Sequence, residues 1–190
     1  MTKVHFNTAF EGMNELEINT WIVFNRKRLI GSALFTCNDS CVSKIVCWAE
    51  NWGEKNKKKF TPSHTGSIIE YDKKLYVFDM KPPKATITPL SNYLLCTKDT
   101  YALVLRDFNI DERMFSANIA EHLGQLYPFM SAIRSVFTNK RQTKWKNHCS
   151  ELHLRELQKQ GLFKGINPEI TPDELYKILN GENRFFNPIL

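Results

Sequence analysis

Alternating apolar and polar residues predict strands in the first part of the chain. Residues 20–24 form a short apolar run that ends at a polar, basic stretch, and we expect the first strand there. Residues 63–71 and 75–80 are rich in β-branched and aromatic side chains. They flank a short polar turn that begins at Asp72, which predicts an antiparallel hairpin. Residues 101–106 form the next apolar run and predict a further strand.

Apolar residues recur at helical spacing in other segments, most of which follow the hairpin. The predicted helices span residues 39–52, 116–126, 129–137, 148–160 and 170–179. Gly161 is placed to end the fourth of them, and Thr171 with Pro172 is placed to begin the fifth. This order of elements predicts an α+β fold in which an antiparallel β-sheet packs against helices.

A single domain accounts for the length and composition of the chain. It has 190 residues, 42% of them hydrophobic, and it contains neither internal repeats nor a low-complexity linker. We expect residues 20–162 to form the core of this domain and residues 163–190 to form a helical C-terminal extension. The sequence does not determine the oligomeric state.

Charge and targeting signals narrow the possible partners. The net charge of +6 permits contact with anionic surfaces, and the basic clusters at residues 55–59 and 140–146 are typical of solvated loops or helix ends. No nucleic-acid motif accompanies these clusters, so specific nucleic-acid binding is not expected, and charge-driven binding ranks as a third hypothesis. Neither a secretion signal nor a transmembrane run is present, so we expect a soluble protein that is cytoplasmic or delivered by a particle.

The cysteines predict free thiols rather than cross-links. Their number, five, is odd, which argues against a closed set of disulfides. Cys37 and Cys41 resemble half of a zinc site, but no second pair of Cys or His follows at a suitable distance. We therefore expect no metal and no other cofactor, and we expect most of the thiols to be packed as small apolar side chains.

Three residues could together form a nucleophilic site. Cys149 begins a predicted helix, where the first-turn N–H groups and the helix dipole favour a thiolate. His64 begins the first strand of the hairpin and could act as the base. If the turn centres on Asp72 and Lys73, Asp79 is the diagonal neighbour of His64 and could orient its ring. Each residue alone also has an ordinary structural explanation.

Six short segments extend this pattern over residues 20–162. They are Trp21-Ile-Val-Phe24, Ser43-Lys-Ile-Val-Cys-Trp-Ala49, Pro62-Ser-His-Thr-Gly-Ser-Ile-Ile69, Tyr76-Val-Phe-Asp-Met80, Gly124-Gln-Leu-Tyr-Pro-Phe129 and His148-Cys-Ser-Glu-Leu152. In this order they resemble the permuted branch of the NlpC-type papain-like hydrolases, the YiiX-like proteins. The lecithin:retinol acyltransferase group is similar at a greater distance. In that branch the histidine precedes the cysteine, the reverse of the order in papain.

The resemblance implies a circularly permuted papain-like fold with Cys149 as nucleophile, His64 as base and Asp79 as the third polar member. It also implies that His148 and Ser150 lie at the oxyanion or substrate side of the site. Two positions depart from the family pattern. The third member is usually Glu and here is Asp79, and the residue before the cysteine is usually Tyr and here is His148.

Two functions are compatible with this pattern. The first is a cysteine hydrolase that attacks an amide, ester or thioester carbonyl and forms an acyl-enzyme on Cys149. The resemblance implies cell-wall peptides, proteins or lipids as substrates. The second is a catalytically inactive binding or host-inhibitory protein on the same fold, which a phage or virus could encode.

Overall fold

The computed structural model describes residues 3–37, 60–81, 83–96, 100–126 and 149–181. In chain order the elements are β1 (Lys3–Phe6), a 3-10 turn (Asn7–Ala9), α1 (Glu15–Leu29), β2 (Ala33–Cys37), β3 (His64–Tyr71), β4 (Lys74–Asp79), β5 (Thr86–Pro89), α2 (Leu90–Cys96), β6 (Thr100–Leu105), α3 (Glu112–Ala120), α4 (Cys149–Lys159) and α5 (Pro172–Leu179). The predicted helices at 39–52 and 129–137 and both basic clusters lie outside the described residues.

The strands form one antiparallel sheet in the order β1-β6-β2-β3-β4-β5. Its centre joins parts of the chain that are far apart in sequence, because β2 pairs with β3 on one side and with β6 on the other. The described residues therefore form a mixed α+β fold with an antiparallel sheet, as the sequence predicted.

Helices cover both faces of this sheet. On one face, Ile18 of α1 and Leu94 of α2 share an apolar cluster with Ile68 of β3. On the other face, α3, α4 and α5 pack their apolar residues, and Leu157 of α4 shares a cluster with Ile69 of β3. Neighbouring residues of a strand point to opposite faces, so the central strands are apolar on both sides.

The predicted first strand at residues 20–24 is wrong, because these residues lie in the middle of α1. Residues at both ends of α1 stabilise it as a helix. Asn14 and Glu17 form a capping box at the start. Basic side chains occupy the last turn, where their positive charge interacts favourably with the negative end of the helix dipole. A run of four apolar residues suggested a buried strand, yet only Ile22 of that run is buried, and Val23 and Phe24 are exposed.

The hairpin is confirmed with the predicted turn. Tyr71 pairs with Lys74 and Gly66 pairs with Asp79 in the ladder between β3 and β4. The two turn residues, Asp72 and Lys73, have φ values of 46° and 60°. Type I′ hairpin turns require positive φ at both central positions, and their twist matches that of the strands.

Other predicted elements agree with the structure to within a few residues. The strand at 101–106 corresponds to β6, and the helices at 148–160 and 170–179 correspond to α4 and α5. The helix predicted at 116–126 is displaced and spans Glu112–Ala120. It begins earlier because the Asp111 side chain caps it by accepting a hydrogen bond from the Met114 N–H, and it ends six residues before the predicted end. β1, β2, β5 and α2 were not predicted.

The segment after residue 162 contributes a helix to the core. Thr171 caps α5 through a capping box with Glu174, and Pro172 occupies the first turn, as predicted. Leu175 and Tyr176 of α5 belong to the apolar cluster that α4 builds against the sheet. The predicted extension thus supports the helix that carries Cys149.

Candidate active site

The ends of three elements meet at one end of the sheet. His64 is the first residue of β3 and Asp79 is the last residue of β4, and the two strands are antiparallel neighbours. Cys149 is the first residue of α4, which packs against β3. The structure therefore brings together three of the residues that the sequence singled out.

His64 and Asp79 are joined by a hydrogen bond across the hairpin. The distance from His64 Nε2 to Asp79 Oδ1 is 3.0 Å. Asp79 pairs with Gly66, two residues after His64, so the two side chains are diagonal neighbours on one face, as the register predicted. An aspartate, with its shorter side chain, reaches the ring from this position.

Gly66 provides the space for this contact. A Cβ atom at this position would lie 2.6 Å from Val77 Cγ1 and 3.1 Å from Asp79 Oδ1. Both distances are shorter than an ordinary van der Waals contact, and Val77 is fully buried and has little room to move. The close approach of both Val77 and the Asp79 carboxylate thus explains the glycine in Ser63-His-Thr-Gly66.

The carboxylate of Asp79 is ionised although it is fully buried. Burial alone would raise its pKa, but the hydrogen bond and charge of His64 and the charge of Lys81 lower the pKa below its usual value. Lys81 Nζ lies 3.1 Å from Oδ2. This contact is an ion pair rather than an aligned hydrogen bond, because Oδ2 has no hydrogen-bond partner by geometry.

Cys149 lies beside this pair at the start of α4 and is buried. Burial would raise the pKa of its thiol. The charge and hydrogen bond of His64, with hydrogen bonds from the backbone N–H groups of Thr65 and Ser150, lower that pKa below its usual value. A thiolate at this position is therefore surrounded by donors.

The pKa of His64 is shifted in the opposite direction to that of Cys149. Its burial would lower the pKa, yet the charge of the Cys149 thiolate and the hydrogen bonds to Asp79 and Cys149 raise it to about 10. Because Nε2 faces Asp79, the other ring nitrogen, Nδ1, is the one that faces the sulfur. The two shifts have opposite directions and favour a thiolate–imidazolium pair at neutral pH.

Ser150 and His148 were predicted to lie at the oxyanion or substrate side of the site. Ser150 is buried, and its hydroxyl donates a 2.6 Å hydrogen bond to the carbonyl oxygen of Ile170, in the loop that leads into α5. Only its backbone N–H reaches the sulfur, so the side chain anchors α4 to the C-terminal segment. His148 lies outside the described residues.

A second buried histidine was not identified from the sequence. His153 lies one helical turn after Cys149, and its Nδ1 is 2.8 Å from Ser67 Oγ on β3. Burial lowers its pKa to about 3, so the ring is neutral. The i, i+4 spacing to Cys149 and the position of Ser67 on the strand face toward α4 could have indicated this pair. It fixes α4 against β3 directly behind the site.

Among the residues that the structure describes, no group of three or more His, Cys, Asp or Glu side chains is arranged to hold a metal ion. None of the helices in the described ranges combines the length and apolar character that crossing a bilayer requires.

The fold and site define an α+β protein in which a helix-start cysteine meets a His–Asp pair on an antiparallel sheet. The crystal structure of metalloprotein YiiX from Escherichia coli O157:H7 has a similar fold, with a TM-score of 0.50 and 20% sequence identity over 83% of this chain and 84% of that one. The chain therefore has a YiiX-like fold, as the resemblance predicted. No protein-family model matches the chain. A search of curated proteins also gave no match.

Proposed function

We propose that this protein is a cysteine-dependent hydrolase that acts on an amide, ester or thioester and forms an acyl-enzyme on Cys149. The observation that carries the proposal is the continuous contact from the Cys149 sulfur through the His64 ring to the buried Asp79 carboxylate. A nucleophile, a base and an orienting acid in hydrogen-bond contact are what such a reaction requires.

Each residue has a defined role in this mechanism. The Cys149 thiolate attacks the substrate carbonyl, and protonated His64 then donates its proton to the leaving group. In the second half, neutral His64 accepts a proton from water as the water attacks the acyl-enzyme, and Cys149 leaves as the thiolate. Asp79 holds the ring orientation and stabilises its positive charge, and the N–H groups of the first turn of α4 stabilise the oxyanion.

A circularly permuted papain-like fold is part of this proposal. His64 and Asp79 on the sheet precede Cys149 on the helix in the chain, the order of the permuted branch. Cell-wall peptides, proteins and lipids all offer the carbonyl chemistry that the site would use.

Metal chemistry is the other possibility, because the similar YiiX structure is described as a metalloprotein. The residues of the candidate site do not fit a metal ion. Both ring nitrogens of His64 are engaged, one by Asp79 and one by Cys149, and a protonated imidazole has no free lone pair for a metal. The mechanism therefore uses the thiol, the imidazole and the carboxylate alone.

Thiol alkylation tests the proposal. Iodoacetamide labelling at neutral pH, followed by peptide mass spectrometry, compares Cys149 with Cys96, an exposed thiol in the same protein. We expect Cys149 to react faster although it is buried, and we expect His64→Ala to remove that advantage without changing the rate at Cys96. Circular dichroism checks that the variant is folded. Equal rates at the two thiols in the wild-type protein would refute the proposed activation.

Acyl transfer separates the hydrolase from an inactive binding protein. Incubation with activated peptide esters and fatty-acyl thioesters should add an acyl group to Cys149 that hydroxylamine removes, and Cys149→Ser should lose this mass shift. A reactive thiol that accepts no acyl group from any of these substrates would favour the binding protein.

A further inference from the structure

Three large apolar side chains are exposed on the side of α1 that faces away from the sheet. Leu16, Val23 and Phe24 are 75%, 70% and 84% exposed. They lie opposite the buried stripe of the same helix, which packs on the sheet through residues such as Ile22 and Leu29. We call Leu16, Thr20, Val23, Phe24 and Lys27 the α1 outer face. Isolated exposed apolar residues are common, so the three on this face gain weight from the charged side chains beside them.

Basic side chains gather at the C-terminal end of this face. Lys27 is exposed on the α1 outer face, and Arg26 and Arg28 flank it. The Arg26 side chain donates a 3.1 Å hydrogen bond to the carbonyl of Lys73, which places the exposed Lys73 and Lys74 of the hairpin turn beside the helix. We call these five residues the basic cluster.

Acidic residues neutralise only part of this cluster. Glu70 forms a 2.8 Å ion pair with Arg26, and Asp72 lies in the hairpin turn. Glu15 and Glu17 lie at the other end of α1. Arg106, Asp107 and Glu112 also lie near this end, because the Arg106 guanidinium donates to the Lys27 carbonyl and pairs with Glu112. Six cations (the basic cluster and Arg106) therefore face four acids (Glu70, Asp72, Asp107 and Glu112) around the C-terminal end of the α1 outer face.

We propose that the α1 outer face and the basic cluster bind the surface of an anionic lipid bilayer. Val23 and Phe24 would enter the boundary between headgroups and acyl chains, and the basic cluster would contact anionic headgroups. Exposed aromatic and aliphatic residues beside Lys and Arg are what interfacial helices use to bind such surfaces. This inference is independent of the proposed hydrolase activity.

The size of the surface argues against a second copy of the chain as the occupant. A helix of 15 residues is about 22 Å long, and a stripe about 10 Å wide on it covers roughly 220 Å². A stable dimer buries about 800 Å² from each partner. Binding to a bilayer requires no minimum buried area of this kind, because the contributions of a few inserted side chains and several cations add up to measurable binding.

Vesicle co-sedimentation with the full chain tests this proposal. We expect the protein to sediment with vesicles of phosphatidylcholine and phosphatidylglycerol but not with phosphatidylcholine vesicles, and we expect salt to weaken the binding. Phe24→Ser should reduce binding about tenfold through lost apolar burial. Lys27→Glu should reduce it about fivefold or more through lost attraction to the headgroups.

Matched substitutions elsewhere serve as controls. Leu126 is 79% exposed outside α1, so Leu126→Ser removes a comparable apolar side chain from a different surface. Lys84→Glu reverses the charge of an exposed lysine that lies beside Leu126. Both controls should bind vesicles like the wild-type protein. Equal binding to neutral vesicles, or equal losses in the control variants, would overturn the proposal. A dimer that Phe24→Ser dissociates, without vesicle binding by the wild-type protein, would show that a second copy covers this face.

Discussion

Replacing Gly66 with alanine should separate His64 from Asp79. The added Cβ would lie 2.6 Å from Val77 Cγ1, about 1 Å closer than an ordinary contact, and 3.1 Å from Asp79 Oδ1. Overpacking of this kind costs about 1–3 kcal/mol of stability. Because the carboxylate must also move away from the new methyl group, the 3.0 Å hydrogen bond to His64 should lengthen and weaken.

The hydrogen bond to Asp79 also contributes to the raised pKa of His64. A hydrogen bond to a charged group contributes about 1.5–3 kcal/mol, and one pKa unit corresponds to about 1.4 kcal/mol. Complete loss of the bond would lower the pKa of His64 from about 10 by roughly one to two units, and weakening it should lower the pKa by part of that amount. The pKa of His64 falls rather than rises because Asp79 stabilises the protonated ring, and a weaker contact stabilises it less.

NMR titration of the His64 ring measures this pKa, with the resonance assigned by comparison with His64→Ala, and urea unfolding measures the stability. Gly165→Ala is the matched control, since a Cβ at Gly165 would meet no atom within 4 Å. The double variant Gly66→Ala with Val77→Ala removes the apolar clash and leaves the contact with Asp79. If Gly66→Ala keeps the pKa and stability of the wild-type protein, the role assigned to Gly66 is wrong.

Three further predictions concern the site and its supporting helices. Asp79→Asn replaces a carboxylate with a neutral amide, so the pKa of His64 should fall and alkylation of Cys149 at neutral pH should slow about tenfold, as labelling kinetics would show. His153 has a pKa lowered to about 3 in the folded protein, so the unfolded chain binds more protons as the pH falls from 6.5 towards 3. Over that range the wild-type protein should lose up to about 5 kcal/mol of stability through this residue, and His153→Gln should remove that part of the pH dependence measured by urea unfolding. Thr171→Ala removes the N-cap of α5 and should lower the unfolding free energy by about 1 kcal/mol, measured in the same way, whereas an unchanged value would show that the cap contributes nothing.

The elements that were predicted correctly are those with local signals. The hairpin was predicted because a polar turn separates two β-rich runs, and the register that follows from Asp72 and Lys73 gave the contact between His64 and Asp79. Helix α5 was predicted from Thr171 and Pro172, which act within one turn of the chain.

The elements that were missed depend on distant parts of the chain. β1 and β2 are short strands that both pair with β6, which follows them by more than 60 residues, and β2 pairs on its other side with β3. α1 was mistaken for a strand because exposed Val23 and Phe24 follow buried Ile22 without a polar residue between them, which hides the helical pattern of buried and exposed positions. The Ser67–His153 contact joins residues 86 positions apart, and their types alone did not indicate it.

The β3–β4 pairing has a consequence for how the site tolerates sequence change. Side chains alternate between the faces of a strand, so a slip of one residue would place Phe78 or Met80 opposite Gly66 and turn the Asp79 carboxylate toward the apolar layer of α3 and α4. The two turn residues with positive φ, more than seven positions beyond His64, thus decide which side chain the imidazole meets. Insertions or deletions at this exposed bend would alter the chemistry at the opposite end of the sheet without touching any residue that takes part in it.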